Sequence, residues 1–433
     1  MRTLAEWLTL QEAVHPKSID LELTRVAAVA RTLGVETPEF PVITVAGTNG
    51  KGSVVAHLEA LFGALGASTG LFTSPHLIRY NERIRIAGHE VGDSELIAAF
   101  ERIEAARDRV TLTFFEYNTL AALLVFANRA VDVALLEVGL GGRLDATNLV
   151  AADVAVLASV GIDHRDWLGD TLELIGAEKA GIFRAGRPAV LGTADMPSSV
   201  FAAITALGAR AVIAERDFSW RVQGESWHYD GLEVALRALP PSALAGSIQY
   251  RNAATAIAAV EALAGGGTAR ASVRRLAARL GPLEERAVSR ALGAVQLPGR
   301  FQVLPGEVEW ILDIAHNPPA AEVLARQLRE RARPGGRTFA VIGVLADKDA
   351  SGIAAALAGL IDHWIVCTLT GARGSSARQL AERLGRPPGD MTLAESVTAG
   401  CELARERAQP GDRVVVLGSV HTVGPALEWL RIY

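Results

Sequence analysis

Short runs of consecutive apolar residues recur along the chain, with polar, periodic segments between them. The runs are VITVA (42–46), VDVALLEV (131–138), DVAVLASV (153–160), EWILDIA (309–315), TFAVIGV (338–344), HWIVCTL (363–369) and DRVVVLG (412–418). Unbroken apolar runs of this length, rather than alternating ones, predict strands of a parallel sheet covered on both faces. Segments 94–107, 250–263, 319–331 and 395–408 carry apolar residues at helical spacing. Strand–helix alternation of this kind predicts an α/β fold with right-handed crossovers.

Two stretches break the pattern. Within 214–242, SWRVQGESWHYDGLEVAL alternates with period two around a DG turn, which predicts a small antiparallel insertion. In LGAVQLPGRFQV (292–303), Pro298 and Gly299 disfavour a regular element. The expected domain boundary is therefore near residue 297, with a large domain over 1–296 and a smaller one over 297–433.

Composition narrows the class. The chain is 50% hydrophobic and 21% charged, enough for full cores and unlike a disordered segment. A net charge of −5 gives no basic field for nucleic acid. No apolar run approaches the roughly 18 residues of a membrane span. Cys367 and Cys401 have neither metal-ligand spacing nor the density of a disulfide framework, which fits a reduced, cytoplasmic setting. The N-terminal segment carries Glu6 and Glu12 and makes a poor signal peptide.

Candidate chemistry begins at GTNGKGS (47–53), a Gly-rich turn between a buried strand and a helical pattern. The common phosphate loop places Ser or Thr directly after Lys. Here Gly52 separates Lys51 from Ser53, and Val45 stands where the first Gly is usual. The physics still suits phosphate. Glycines allow close backbone approach, the first helical N–H groups face an anion, Lys51 neutralises charge and Ser53 can hold Mg²⁺. A Gly-rich turn without ligand is the bland alternative. Further polar groups end other strands: Ser74 in FTSPH, Glu137 at the close of VDVALLEV, and Asp163 and His164 in SVGIDH. In open α/β sheets the crevice beyond the carboxyl ends of strands binds ligands. Oxygen ligands with one imidazole suit Mg²⁺ or Mn²⁺ better than zinc.

GTNGKGS, TSPHL, NERI, EVGLGGRLDATN, DH, EKAGI, GRFQ, DIAHNP, LADKD and GSVHTV follow one another along the chain. In that order they resemble folylpolyglutamate synthase, in particular the bifunctional dihydrofolate synthase/folylpolyglutamate synthases of bacteria, within the Mur ligase superfamily. The unusual phosphate loop is normal for that family. The resemblance implies a Mur-ligase-like α/β fold: a phosphate-loop ATPase domain with a mostly parallel sheet and the pterin pocket, then a smaller Rossmann-like glutamate-ligase domain. It implies ATP-dependent joining of L-glutamate to dihydropteroate and to tetrahydrofolates through an acyl phosphate, by a monomer.

The resemblance also implies roles. Thr48, Asn49, Gly50, Lys51, Gly52 and Ser53 would contact ATP, together with Asn252, Arg300 and Asp313. Ser53, Ser74, Glu137 and His164 would hold two Mg²⁺ ions. Lys179 would be carbamylated, against the alternative of an ordinary salt-bridged helix lysine. Asn252 has the alternative of a helix N-cap, and HNPP that of a plain helix start. His316 and Ser419 would bind glutamate, with His421 a further candidate, and His316 would also act at the phosphates. The pterin pocket would draw on Asp20, Leu21 and Glu22, on Thr113, Phe114, Phe115 and Glu116, and on Leu144, Asp145 and Ala146. Lys51, Lys179, His164, Arg300 and His316 would be catalytic. Competing readings are a folylpolyglutamate synthase without dihydrofolate synthase activity, a peptidoglycan Mur ligase and a nucleotide-dependent switch. Only 46 residues precede Gly47, few for the extra domain of a peptidoglycan ligase.

Overall fold

The run at 42–46 forms a strand, β1 (Val42–Ala46), in which every residue is buried. Ile43 and Val45 belong to one hydrophobic cluster, and Val42 belongs to another. That is the two-sided burial the unbroken apolar run requires. These features come from a computed structural model, which describes residues 2–17, 19–265, 270–332 and 335–432. The chain divides into two compact units. The first comprises Met1–Ala243 and Tyr250–Val295, and the second Leu244–Gln249 and Gln296–Tyr433.

In the first unit the remaining strands of the main sheet are β2 (Thr69–Phe72), β3 (Ile84–Ile86), β4 (His89–Glu90), β5 (Val133–Glu137), β6 (Val154–Leu157), β7 (Pro188–Leu191) and β8 (Arg210–Ile213). Their spatial order is β4-β3-β2-β5-β1-β6-β7-β8. Strands β2 to β8 in that row pair in parallel, and β3 and β4 extend the edge antiparallel. All the parallel strands therefore end at one edge. Strand β5 repeats the logic of β1: Val133 and Leu135 join one cluster, Ala134 and Leu136 the other. The helix Phe114–Asn128 is buried from Glu116 to Phe126 and covers one face. Its uniform hydrophobicity suits a helix enclosed on all sides.

The insertion is a three-stranded antiparallel sheet of β9 (Ser219–Gln223), β10 (Ser226–Asp230) and β11 (Ala235–Leu239). Its tight turn is at Gly224, with φ of 61°, rather than at Asp230-Gly231. The DG connection is wider because Glu261 organises it. That buried carboxylate accepts the Tyr229 hydroxyl at 2.5 Å and the N–H groups of Leu232, Glu233 and Val234 at 3.2, 2.8 and 2.9 Å. Glu261 lies on the helix Ile248–Ala264, so the insertion is fixed to the main body by a satisfied buried charge.

The second unit contains β12 (Gln302–Leu304), β13 (Glu309–Asp313), β14 (Thr338–Ile342), β15 (His363–Cys367), β16 (Met391–Ala394) and β17 (Arg413–Leu417), in the order β12-β13-β17-β14-β15-β16. All neighbours are parallel except β12 with β13. Ile311, Ala340, Ile342, Val366, Val415 and Leu417 supply one face of its core.

Candidate active site

The phosphate loop follows β1 and opens the helix Lys51–Ala64. Gly47 and Gly50 take φ of 154° and 88°. A Cβ on Gly47 would lie 3.2 Å from Ala158 Cβ and from the Ser159 nitrogen, so the loop is pressed onto the segment after β6. Hydrogen bonds fix the contact. Thr48 N–H donates to the Ser159 carbonyl at 2.9 Å, and Thr48 Oγ1 exchanges bonds with Gly161 at 3.0 and 2.9 Å. Lys51 Nζ folds back to the carbonyls of Gly47 and Thr48 at 2.9 and 3.3 Å. The loop is thus a preformed ring of backbone groups with an ammonium over it. Gly52 and Ser53 are buried in the first helical turn. Asn252 lies inside its helix, not at the N-cap, and its Oδ1 is 3.2 Å from a Cβ built on Gly50. The N-cap alternative for Asn252 is therefore removed.

One helical turn after Ser53, His57 is buried and its pKa is pulled down to about 4, chiefly by burial. Its Nδ1 is 2.7 Å from the Ser53 carbonyl, so the proton is on Nδ1, and Nε2 accepts from Ser242 Oγ at 2.9 Å.

At the end of β5, Glu137 is buried. Its Oε2 accepts a short bond from the Thr73 hydroxyl and the Ser74 N–H at 3.3 Å. Strand β2 pairs with β5, so Thr73 and Ser74 leave the sheet beside Glu137. His164 takes φ of 51° at the start of a short helix, and its N–H donates to Asp163 Oδ1 at 2.8 Å. Among the described residues no group of three His, Cys, Asp or Glu could hold a metal. Glu137, His164 and the serine hydroxyls still fit Mg²⁺, which keeps several waters and takes one or two carboxylates alongside substrate phosphates.

Lys179 lies in the last turn of the helix Leu172–Ala180 and is only 5% exposed. Burial pulls its pKa down to about 7; the charge of Lys51 adds to the effect, and Asp163 and Asp145 oppose it. Among the described residues it forms no ion pair, so it is not an ordinary salt-bridged lysine. The Gly-rich turn after β5 packs on the end of its helix. A Cβ on Gly142 would lie 2.8 and 2.9 Å from the carbonyl oxygens of Lys179 and Glu178. Gly142→Ala is therefore expected to overpack this contact at a cost of about 1–3 kcal/mol. Thermal unfolding and turnover should both decline, and an unchanged Tm would show that the turn yields freely.

The same turn holds Asp145. Its carboxylate accepts from Thr147 N–H and Oγ1 at 3.0 and 2.6 Å and from Leu140 N–H at 2.9 Å. Burial raises its pKa. Asp145 thus stabilises its own loop, with Leu144 half-buried and Ala146 buried beside it. The Phe115 ring lies against Gly139, where a Cβ would meet it at 2.6 Å, and 5.6 Å from the Phe72 ring. Phe114 meets the edge of Tyr80 at 6.2 Å. Thr113 and Glu116 form a reciprocal cap at the helix start. Arg25, which no motif marks, joins the rest: it reaches Asp20 Oδ2 at 2.9 Å, Glu22 at 2.8 Å and Glu116 at 3.3 Å. Leu21 is half-buried in the same N-terminal loop.

In the second unit Asp313, Ser419 and His421 follow or end β13 and β17, at one edge of the sheet. Asp313 Oδ2 accepts from Phe301 N–H and Oδ1 from Ala315 N–H, both at 2.8 Å. Burial raises its pKa, against the charges of Arg300 and His316. His316 Nδ1 donates to the Ile314 carbonyl at 2.9 Å. Asn317 caps the next helix through Ala320 N–H at 2.9 Å with Pro318 at its first position, so HNPP is a helix start as well. Ser419 is buried and caps the last helix. Burial lowers the His421 pKa, aided by Arg373.

Comparison with known proteins matches residues 45–260 to the Mur ligase middle domain and 299–420 to the Mur ligase glutamate ligase domain. A dihydrofolate synthase/folylpolyglutamate synthase of Escherichia coli K12 is 43% identical over 98% of this chain and 95% of its own. The chain belongs to this family of Mur ligases. The structure of E. coli FolC in complex with DHPP and ADP superposes with a TM-score of 0.90 at 42% identity, covering 99% of this chain and 98% of that one. A bifunctional folylpolyglutamate synthase/dihydrofolate synthase with Mn, AMPPNP and L-glutamate bound gives 0.88 at 40% identity, covering 100% and 99%. The Mur ligase fold of two α/β units expected from the motifs is therefore present. Among the described residues no helix is long and apolar enough to cross a membrane.

Proposed function

We infer that the protein is an ATP-dependent ligase that joins L-glutamate to dihydropteroate, forming dihydrofolate, and to tetrahydrofolates, forming polyglutamates. The observation that carries this reading is the phosphate loop at the end of β1 beside Glu137 at the end of β5, in a chain of this family. A carboxylate resists amines because its carbonyl is not electrophilic. Transfer of the ATP γ-phosphoryl group makes it an acyl phosphate: a carboxylate oxygen bonds to phosphorus, and the bond to ADP breaks. The glutamate amine then adds to the carbonyl, loses a proton, and phosphate leaves.

The chain's part is alignment and charge neutralisation. Thr48 to Ser53 cradle the ATP phosphates, with Lys51 neutralising their charge and Asn252 on the adenine side. Arg300, Asp313 and His316 act on the phosphates and ribose, and His316 and Ser419 on glutamate. Ser53, Ser74, Glu137 and His164 would hold two Mg²⁺ ions, which neutralise phosphate charge when bound. Lys179, with its lowered pKa, is suited to carbamylation: the neutral amine adds CO₂ and releases a proton, turning a cation into an anion. Phe114, Phe115, Leu144, Asp145 and Ala146, with the Asp20–Glu22 loop and Thr113 and Glu116, form the pterin pocket. Asp145 acts there partly by holding its loop. We place the protein in the cytoplasm as a monomer, with no nucleic-acid or membrane partner.

The test is a substrate panel. Full-length protein with ATP, Mg²⁺ and L-glutamate should convert dihydropteroate and tetrahydrofolate to products heavier by one glutamyl residue. Product from tetrahydrofolate alone would favour the narrower folylpolyglutamate synthase, and no amide product from either would overturn the reading.

A further inference from the structure

Arg83 is a buried cation that the assignments above do not use. Arg83 is 8% exposed and ends the short helix Tyr80–Arg83 ahead of β3. Its carbonyl accepts the Thr73 N–H at 2.9 Å, which places it beside the Thr73–Glu137 pair. Its guanidinium donates through Nε to His76 Nδ1 at 2.8 Å. It lies 5.5 Å from the centre of the Phe114 ring and 5.9 Å from that of Tyr80. An imidazole and two aromatic faces are weak partners for a buried charge, and among the described residues Arg83 forms no ion pair. Burial accordingly lowers its pKa, and Tyr80, Glu82 and Glu137 only oppose the effect at longer range. The Glu137 carboxylate is already engaged by Thr73 and Ser74.

Other buried or half-buried arginines of this chain are treated differently. Arg413, 4% exposed, pairs with Glu309 at 3.0 Å. Arg85 pairs with Glu59 at 2.6 Å. A guanidinium withdrawn from water without a carboxylate is costly to the folded state. It is retained where an anion from outside completes the pair.

We propose that Arg83 is the receptor for the carboxylate of the acceptor substrate. The inference rests on the ligase reading and adds the group that holds the reacting carboxylate. The ring system of the acceptor lies toward Phe114, and its carboxylate meets Arg83 at the Glu137 end of the sheet. Guanidinium and carboxylate form charge-assisted hydrogen bonds that fix the attacking oxygen. Arg83 keeps its protons through the transfer. When the carboxylate becomes an acyl phosphate, its donors remain bonded to the same oxygens.

Full-length wild type, Arg83→Met and Arg83→Lys are compared by binding of dihydropteroate and of its carboxamide counterpart, by KM for ATP and by thermal unfolding. Arg83→Met should weaken dihydropteroate binding by about tenfold to a hundredfold. It should barely change carboxamide binding or the KM for ATP. Tm should hold or rise, because an unpaired buried charge has been replaced by an apolar chain. Arg83→Lys should keep part of the preference for acid over amide. Equal loss for acid and amide would overturn the proposal, as would a lower Tm with the acid preference intact. Turnover by the wild type is read separately as product mass, so this proposal and the ligase reading fail independently.

Discussion

Lys51→Ala is expected to lower kcat/KM by about a thousandfold while leaving the protein folded. In the structure Lys51 Nζ is held over the loop by the carbonyls of Gly47 and Thr48. Those bonds preset the ammonium at the place where γ-phosphate charge redistributes during transfer. A methyl group supplies neither charge nor donors. The loop itself keeps its shape, because Thr48 is tied to Ser159 and Gly161 by bonds that do not involve Lys51. Losing two bonds from a half-buried side chain costs about 1 kcal/mol, so Tm should fall by no more than about 4 °C. A second effect adds to the first. The Lys51 charge helps to lower the Lys179 pKa, so its removal leaves Lys179 more fully protonated near neutral pH and less able to take up CO₂. Turnover and thermal unfolding of the variant are the measurements, and near-wild-type turnover would remove the phosphate-loop assignment.

Lys179→Ala is expected to cost about a hundredfold or more in turnover, with partial recovery when formate or acetate is added. The position is buried and faces the charges of Lys51, Asp163 and Asp145. Carbamate formation needs the free amine. With a pKa near 7 that form dominates above neutral pH and gives way to the ammonium below it. Wild-type protein stripped of CO₂ should therefore regain activity faster as pH rises through about 7, and level off above it. Carbon-13 bicarbonate should give a carbamate resonance in the wild type that Lys179→Ala lacks. Full activity in CO₂-free buffer, without that resonance, would mean that Lys179 acts as an amine.

Seven strands were legible because each is a whole apolar run, whereas β2 and β7, buried throughout but only four residues long, lie outside those runs. Strands β1, β5, β6, β13, β14, β15 and β17 all fall inside the expected segments. The expected strand at 153–160 stops at Leu157, because Ser159 and Gly161 are taken up in binding Thr48. Edge strands gave little signal. Both residues of β4 are exposed, and β8 opens on the exposed Arg210. Burial, which writes the apolar pattern, is weakest there. At the candidate site, glycines and strand-end polar groups could be read from local order alone. Arg25 could not: its partner Glu116 is 91 residues away, and neither residue advertises the other. Thr73 was passed over for its neighbour Ser74, although it is the Thr73 hydroxyl that donates to Glu137. The excursion of Leu244–Gln249 into the second unit leaves no mark in the hydrophobic pattern.

The placement of β1 has a consequence for how the chain is made. This strand lies at the middle of its sheet, yet Val42 pairs with Ala134 and Ile43 with Val154. A ribosome releases VITVA long before either of its neighbours is there to bond. Until β5 and β6 emerge, this segment is an unpaired apolar strand, the form most open to wrong association. Closing such long loops also makes the search for the native sheet slow. The strand that will carry the phosphate loop is thus the first of its sheet to be synthesised, yet it is secured only after about a hundred further residues.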